Sequence, residues 1–250
     1  MAPVALAEFC ITPGSHERFG EFSGDLNPLH ADQEAARQME PGGILAYGMD
    51  LVLRSLEALL VAGLLPEDFR RFRVRFPKWV LLGDELALYR VEGAVERYEL
   101  RRGDVIVALL ELFGGEPVAE AGTQCEAGVR TRLPHDLTME QMEGRAGVAG
   151  VPSEAEVAEL YPRLAERLGT AAVGEMATCS YVIGMEAPGL YSMSIRYDLS
   201  LYANGAKKSS RGLGFRVTAV DPRFRKVNLA VEGTGIVGTL EAIVRKSDAA

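Results

Sequence analysis

An acid and an imidazole stand close together in the segment SGDLNPLH, residues 23–30: Asp25 and His30, with Asn27 and Pro28 between them. That spacing does not match neighbours on a helical face, and Pro28 opposes a helix across the pair, so an irregular loop is predicted. A loop can turn both side chains toward one point, and Asn27 carries donors and acceptors to fix it or to hold a water. A carboxylate beside an imidazole suits water activation. Together they can take a proton from water and deliver one to a neighbouring carbon, and histidine titrates near neutrality. An enolate forming on a carbonyl needs a further partner, which a backbone N–H at a buried helix N-terminus supplies. Gly48, near the start of a long apolar stretch, lets a carbonyl approach the backbone closely. The plain alternatives are that Asp25 caps the following turn and that His30 is a satisfied loop histidine. Their combination with Gly48 favours chemistry.

The string S-G-D-x-N-P-L-H, followed by Tyr47-Gly48-Met49, resembles the MaoC-like dehydratases and (R)-specific enoyl-CoA hydratases. The resemblance implies a hotdog fold and a hydro-lyase acting across the 2,3-double bond of an acyl thioester. It implies Asp25 and His30 as the catalytic pair, Asn27 as support for their loop and Gly48 as the backbone oxyanion donor. Ser23 and Gly24 would form the turn that presents the acid. Tyr47 departs from the family, which usually has histidine there; it reads as a packing or pocket residue rather than a proton donor. No metal or redox cofactor is implied, because coenzyme A or the phosphopantetheine of an acyl carrier protein arrives with the substrate. Residues 184–189 (GMEAPG) and 220–225 (VDPRFR) resemble two-hotdog MaoC-like proteins of biosynthetic gene clusters, in which the second hotdog is structural. One site per chain follows, with the second unit helping to wall the acyl tunnel.

The elements that must position these residues read as two similar series. Residues 7–12 suit a short strand, 16–22 a helical turn, 31–39 a short helix and 44–64 a long helix apolar on more than one face. Strand patterns follow at 72–80, 85–91, 96–100 and 105–113, with Pro77 predicting a bulge or strand end. In the second half, 129–133 suits a strand and 139–152 a linker or excursion. A helix capped by Ser153 with Glu156 runs to about residue 168, and a second apolar helix covers 170–183. Strands at 191–202, 214–220, 226–232 and 235–245 complete it, with turns at Asn204-Gly205 and Asp221-Pro222. Each half is thus a helix with an antiparallel meander to wrap it. The expected fold is α+β, a double hotdog: residues 1–120 carry the motif, and residues 121–250 form a degenerate hotdog. Two units can join edge to edge and so cover exposed strand edges.

The 250 residues are 48% hydrophobic and 25% charged, which is ordinary for globular protein, and the net charge of −8 argues against nucleic acid as partner. The 3 cysteines have no metal spacing, so neither a disulfide framework nor a metal site is expected. No apolar run is long enough to cross a membrane, and no basic leader opens the chain, making the cytoplasm the expected location. The fold admits a homodimer of double hotdogs.

Rival readings remain at this stage. Asp50 and Glu57 on the long helix could activate water for thioester hydrolysis, although helix-start stabilisation is the simpler role for Asp50. An intramolecular cyclase or a non-catalytic acyl-binding subunit also fits. His16 and His135 read as solvated. Lys207, Lys208 and Arg211, or the series Arg70, Arg71, Arg73 and Arg75, are either solvated or contacts for carrier phosphates.

Overall fold

The computed structural model describes residues 4–39, 42–93, 95–116, 118, 125–126, 128–202 and 210–245. The first half contains β1 (Ala7–Cys10), helices α1 (Pro13–Ser23), α2 (Pro28–Ala31), α3 (Gln33–Arg37) and α4 (Gly48–Val61), and strands β2 (Arg71–Arg75), β3 (Glu85–Val91), β4 (Glu96–Arg102) and β5 (Val105–Phe113). The second contains α5 (Met139–Met142), β6 (Ala146–Gly150), α6 (Glu154–Leu160), α7 (Pro162–Leu168), α8 (Thr170–Tyr181) and a π turn at Val182–Glu186. Strands β7 (Ser192–Leu201), β8 (Gly212–Asp221), β9 (Lys226–Glu232) and β10 (Ile236–Val244) follow.

The strands form one antiparallel sheet in the order β1-β3-β4-β5-β2-β7-β10-β9-β8-β6. Chain order makes this a repeat: β1, α4 and β2–β5 correspond to β6, α8 and β7–β10. Each half curls around its own helix, which is the double hotdog. The halves meet where β2 pairs with β7, from Arg71 opposite Ser200 to Arg75 opposite Arg196. Across that seam Arg71 donates two hydrogen bonds to Asp198, at 2.7 and 2.9 Å, and Arg73 a third at 3.0 Å. Two of the arginines considered for carrier phosphates are therefore engaged in joining the halves.

Burial explains the two central helices. In α4, Leu53, Leu56 and Leu59 are fully buried, each contributing about 2–3 kcal/mol through the hydrophobic effect. Every residue of α8 from Ala171 to Tyr181 is buried, Glu175 included. Its carboxylate accepts hydrogen bonds from the backbone N–H groups of Thr234, Gly235 and Ile236 at 2.8–2.9 Å, pinning the β9–β10 turn to the helix.

Several expectations need correction. Residues 44–47 are extended, with Ala46 N–H donating to Val80 and Leu82 N–H to Ile44, so the long helix begins only at Gly48. The expected linker at 139–152 holds α5 and the edge strand β6. Its Ala-Gly-Val-Ala-Gly run hides the strand pattern, because Gly147 lies against Phe215 where a Cβ would come within 2.9 Å of the ring. The expected strand at 129–133 is irregular, with Val129 and Leu133 exposed. Pro162 breaks the helix after Tyr161 and begins α7, where its fixed φ is tolerated. The capping box of Ser153 with Glu156 is present, and β2 ends at Arg75, before Pro77. The boundary near residue 120, Asn204-Gly205 and Lys207-Lys208 lie outside the described residues, while Arg211 is exposed.

Candidate active site

The motif is a chain of caps. Thr12 accepts from Ser15 N–H and Pro13 follows it, starting α1; Gly24, at φ 78°, ends the helix in the left-handed conformation glycine tolerates. Asp25 Oδ1 then accepts from Asn27 N–H at 3.1 Å, and Asn27 Oδ1 accepts from Leu29 N–H at 3.2 Å, capping α2 with Pro28 in its first turn. The segment is therefore not an open loop: His30 sits in the single turn of α2, and Asp25 in the bend before it. The capping reading of Asp25 and its exposure to the site coexist, because only Oδ1 serves the turn.

His30 Nδ1 lies 2.8 Å from the carbonyl oxygen of Leu45, which can only accept, so Nδ1 carries the proton. Nε2 is left as the basic nitrogen and faces Asp25 Oδ2 at 4.0 Å. That distance is too long for a hydrogen bond, so both groups address the space before them. The Leu45 carbonyl is available because residues 44–47 are not helical.

Asp25 is buried, and burial pushes its carboxyl above the usual carboxylate range; His30, the Ser180 hydroxyl and Asn27 N–H act in the opposite direction. Ser180 of α8 donates to Asp25 Oδ2 at 2.7 Å. Gly184 packs beneath the same carboxylate: a Cβ there would stand 2.0 Å from Oδ1. Asn27 Nδ2 donates to the carbonyls of Gly184 at 3.2 Å and Gly189 at 3.0 Å. The second half thus contacts the acid directly, beyond walling a tunnel. Nothing in the local pattern of 180–184 signals this.

Asp25, His30 and Gly48 line one cavity of about 210 Å³. Ser180, Ile183 and Met193 bring the second half to its wall, and Lys78 and Arg245 lie there too. Gly48 is the first residue of α4, whose preceding residue offers no side-chain cap, so the leading N–H groups of this helix lack intrahelical acceptors beside the cavity.

Ser23, Asn27 and Tyr47 are not in the cavity wall. Ser23 Oγ accepts from Asp25 N–H at 3.2 Å. Tyr47 is a packing residue: its hydroxyl donates to the Asp25 carbonyl at 2.9 Å, and its ring lies 4.2 Å from that of His30 and 4.6 Å from that of His16. Gly20 makes room, since a Cβ there would meet the Tyr47 hydroxyl at 2.6 Å. His16 is not solvated but buried, donating from Nε2 to the His30 carbonyl at 2.8 Å. His135 is not partnerless either, standing 3.5 Å from Glu186.

Asp50 and Glu57 lie away from the cavity. Asp50, in the first turn of α4 where an acid suits the helix start, is fully buried, accepting from Arg54 of its own helix at 2.9 Å and from Tyr161 at 2.6 Å, which ties α4 to the second half. Glu57 accepts from Leu164 N–H at 3.1 Å. Among the described residues, no group of three or more His, Cys, Asp and Glu side chains is placed to hold a metal, and no helix is long and apolar enough to cross a membrane.

A double hotdog with an acid–histidine pair beside the start of its first central helix defines the class. Residues 2–111 match the model of the MaoC like domain. A curated relative, 3-hydroxyacyl-thioester dehydratase X of Mycobacterium tuberculosis, is 35% identical over 94 residues, which span 36% of this chain and 31% of that protein. Solved structures resemble nearly the whole chain. A MaoC domain protein dehydratase from Chloroflexus aurantiacus has a TM-score of 0.60 at 10% identity, covering 98% of this chain and 95% of its own. A Mycobacterium tuberculosis protein described as having a double hotdog fold has a TM-score of 0.54 at 11% identity, covering 95% and 94%. At these identities the structural likenesses speak for the fold.

Proposed function

We propose that this protein is a hydro-lyase that adds water to, or removes it from, the 2,3-position of an acyl thioester. The observation that carries the reading is the fixed tautomer of His30, which turns a basic Nε2 toward Asp25 over a cavity that also reaches Gly48. The match to the MaoC like domain supports the same chemistry at family level.

In dehydration of a 3-hydroxyacyl thioester, His30 Nε2 takes the proton from C2 while the N–H of Gly48 stabilises charge on the thioester oxygen. Asp25, whose carboxyl burial pushes above the usual carboxylate range, gives its proton to the hydroxyl leaving C3. The C2–H and C3–O bonds break, the C2–C3 double bond forms, and water departs. Passing the proton from His30 to Asp25 restores the site. Hydration runs the same steps backwards, so the pathway sets the direction. No metal or redox cofactor enters; coenzyme A or a carrier protein comes with the substrate.

The test is incubation with crotonyl-coenzyme A, followed by the enoyl-thioester absorbance and the product mass. Loss of the band with gain of one water supports the reading. Release of free coenzyme A without hydrated product would replace it with hydrolysis, and binding without turnover would replace it with an acyl-binding role.

A further inference from the structure

The cavity holding Asp25 and His30 has an inner neighbour. Between α4 and the first half of the sheet lies a narrow apolar gap that is almost closed, with only about 10 Å³ of free space, lined by Val52, Val74, Leu88, Leu100 and Leu110 among others. Its one polar side chain, Ser55, spends its hydroxyl on the Leu51 carbonyl at 2.7 Å, so the gap offers only apolar surface. Leu51 and Phe76 line both spaces.

Phe76 is held firmly in this position. Its N–H donates to the Ile195 carbonyl at 3.0 Å, and its ring meets Tyr197 edge-on at 5.7 Å. The ring tip lies against Gly48, where a Cβ would be 3.3 Å from Cζ. A thioester oxygen beside the Gly48 N–H therefore brings the acyl chain against this ring within a few carbons.

We infer that Phe76, backed by Leu51, is the floor of the acyl pocket and restricts the protein to short-chain acyl thioesters, with the apolar gap closed off behind it. This rests on reading the outer cavity as an acyl-thioester site. A flexible tail can gain only where it finds apolar surface, about fourfold in affinity per buried methylene. Beyond Phe76 a longer tail meets the ring with no room behind it and must push the thioester out of place, so affinity falls with length until the ring is removed.

The experiment is calorimetric titration of saturated acyl-coenzyme A esters, from butanoyl to decanoyl, into wild type and Phe76→Ala, with circular dichroism to establish folding. Saturated esters are not hydrated, so binding is read apart from turnover. Wild type should bind butanoyl at least about tenfold more tightly than decanoyl, and Phe76→Ala should recover decanoyl by about tenfold or more. Phe76→Leu, the milder variant should Phe76→Ala not fold, should move the same way by less. Equal wild-type affinity for both esters, or an unmoved profile in a folded variant, would overturn the partition. No binding of any ester would overturn it together with the acyl-site reading. The expected pattern without crotonyl hydration would leave the partition standing and remove the hydro-lyase reading alone.

Discussion

The Ser180 hydroxyl donates to Asp25 Oδ2 at 2.7 Å, joining residues separated by 155 positions, one in each half of the chain. The oxygen it holds is the one facing His30. The second half therefore takes part in setting the protonation of the first half's acid.

Ser180→Ala removes a bond that favours the ionised carboxylate. kcat/KM for crotonyl-coenzyme A should fall about tenfold, equivalent to about 1.4 kcal/mol. The limb of the pH–rate profile belonging to Asp25 should move upward, because the charged form has lost a partner. A lowered rate with an unmoved limb would make Ser180 only a packing residue.

Gly184→Ala would drive a methyl group to 2.0 Å from Asp25 Oδ1. The acid must shift, and misplacement of about an ångström costs about a hundredfold in rate. The check is kcat in a variant whose circular dichroism remains native. A rate within twofold of wild type would mean that the carboxylate is not held against the π turn.

How much of this was legible in the sequence depends on locality. Asp25, Asn27, Pro28 and His30 carry their own caps and turns, so their pattern could be read from one short stretch. The meander strands at 85–91, 105–113 and 226–232 matched their apolar patterns. β6 was missed because glycines that admit Phe215 carry no apolar signal. Ser180 and Gly184 were missed because their importance arises only when α8 packs beside α1 and the acid. His16 looked solvated for the same reason: its partner, the His30 carbonyl, belongs to another helix.

His16 makes stability depend on pH. Burial lowers its pKa from 6.5 to about 4; the His30 carbonyl opposes that shift and the His30 side chain adds to it. As pH falls through 6.5 the unfolded chain gains a proton that the native state refuses until about 4, so native stability is lost across that window. The loss approaches about 2–3 kcal/mol near its lower end. Thermal unfolding of wild type and His16→Asn at pH 7.5 and 4.5 checks this: wild type should lose more Tm. Asp25, raised by burial, acts with the opposite sign but is common to both proteins. Parallel Tm curves would contradict the assignment.

Asp198→Asn strips the seam between halves of the carboxylate shared by Arg71 and Arg73. Stability should fall by about 1–3 kcal/mol, read as a drop in Tm of roughly 2–4 °C for each kcal/mol. No change in Tm would show that backbone pairing of β2 with β7 suffices.

The central claim is that Asp25 and His30 together perform the proton transfers. The most direct measurement is the initial rate of crotonyl-coenzyme A hydration by wild type, Asp25→Asn and His30→Ala under identical conditions. Each substitution should lower kcat by about a hundredfold or more. Because the pair acts as a unit, the double variant should fall little further. Turnover by either single variant at the wild-type rate would contradict the account.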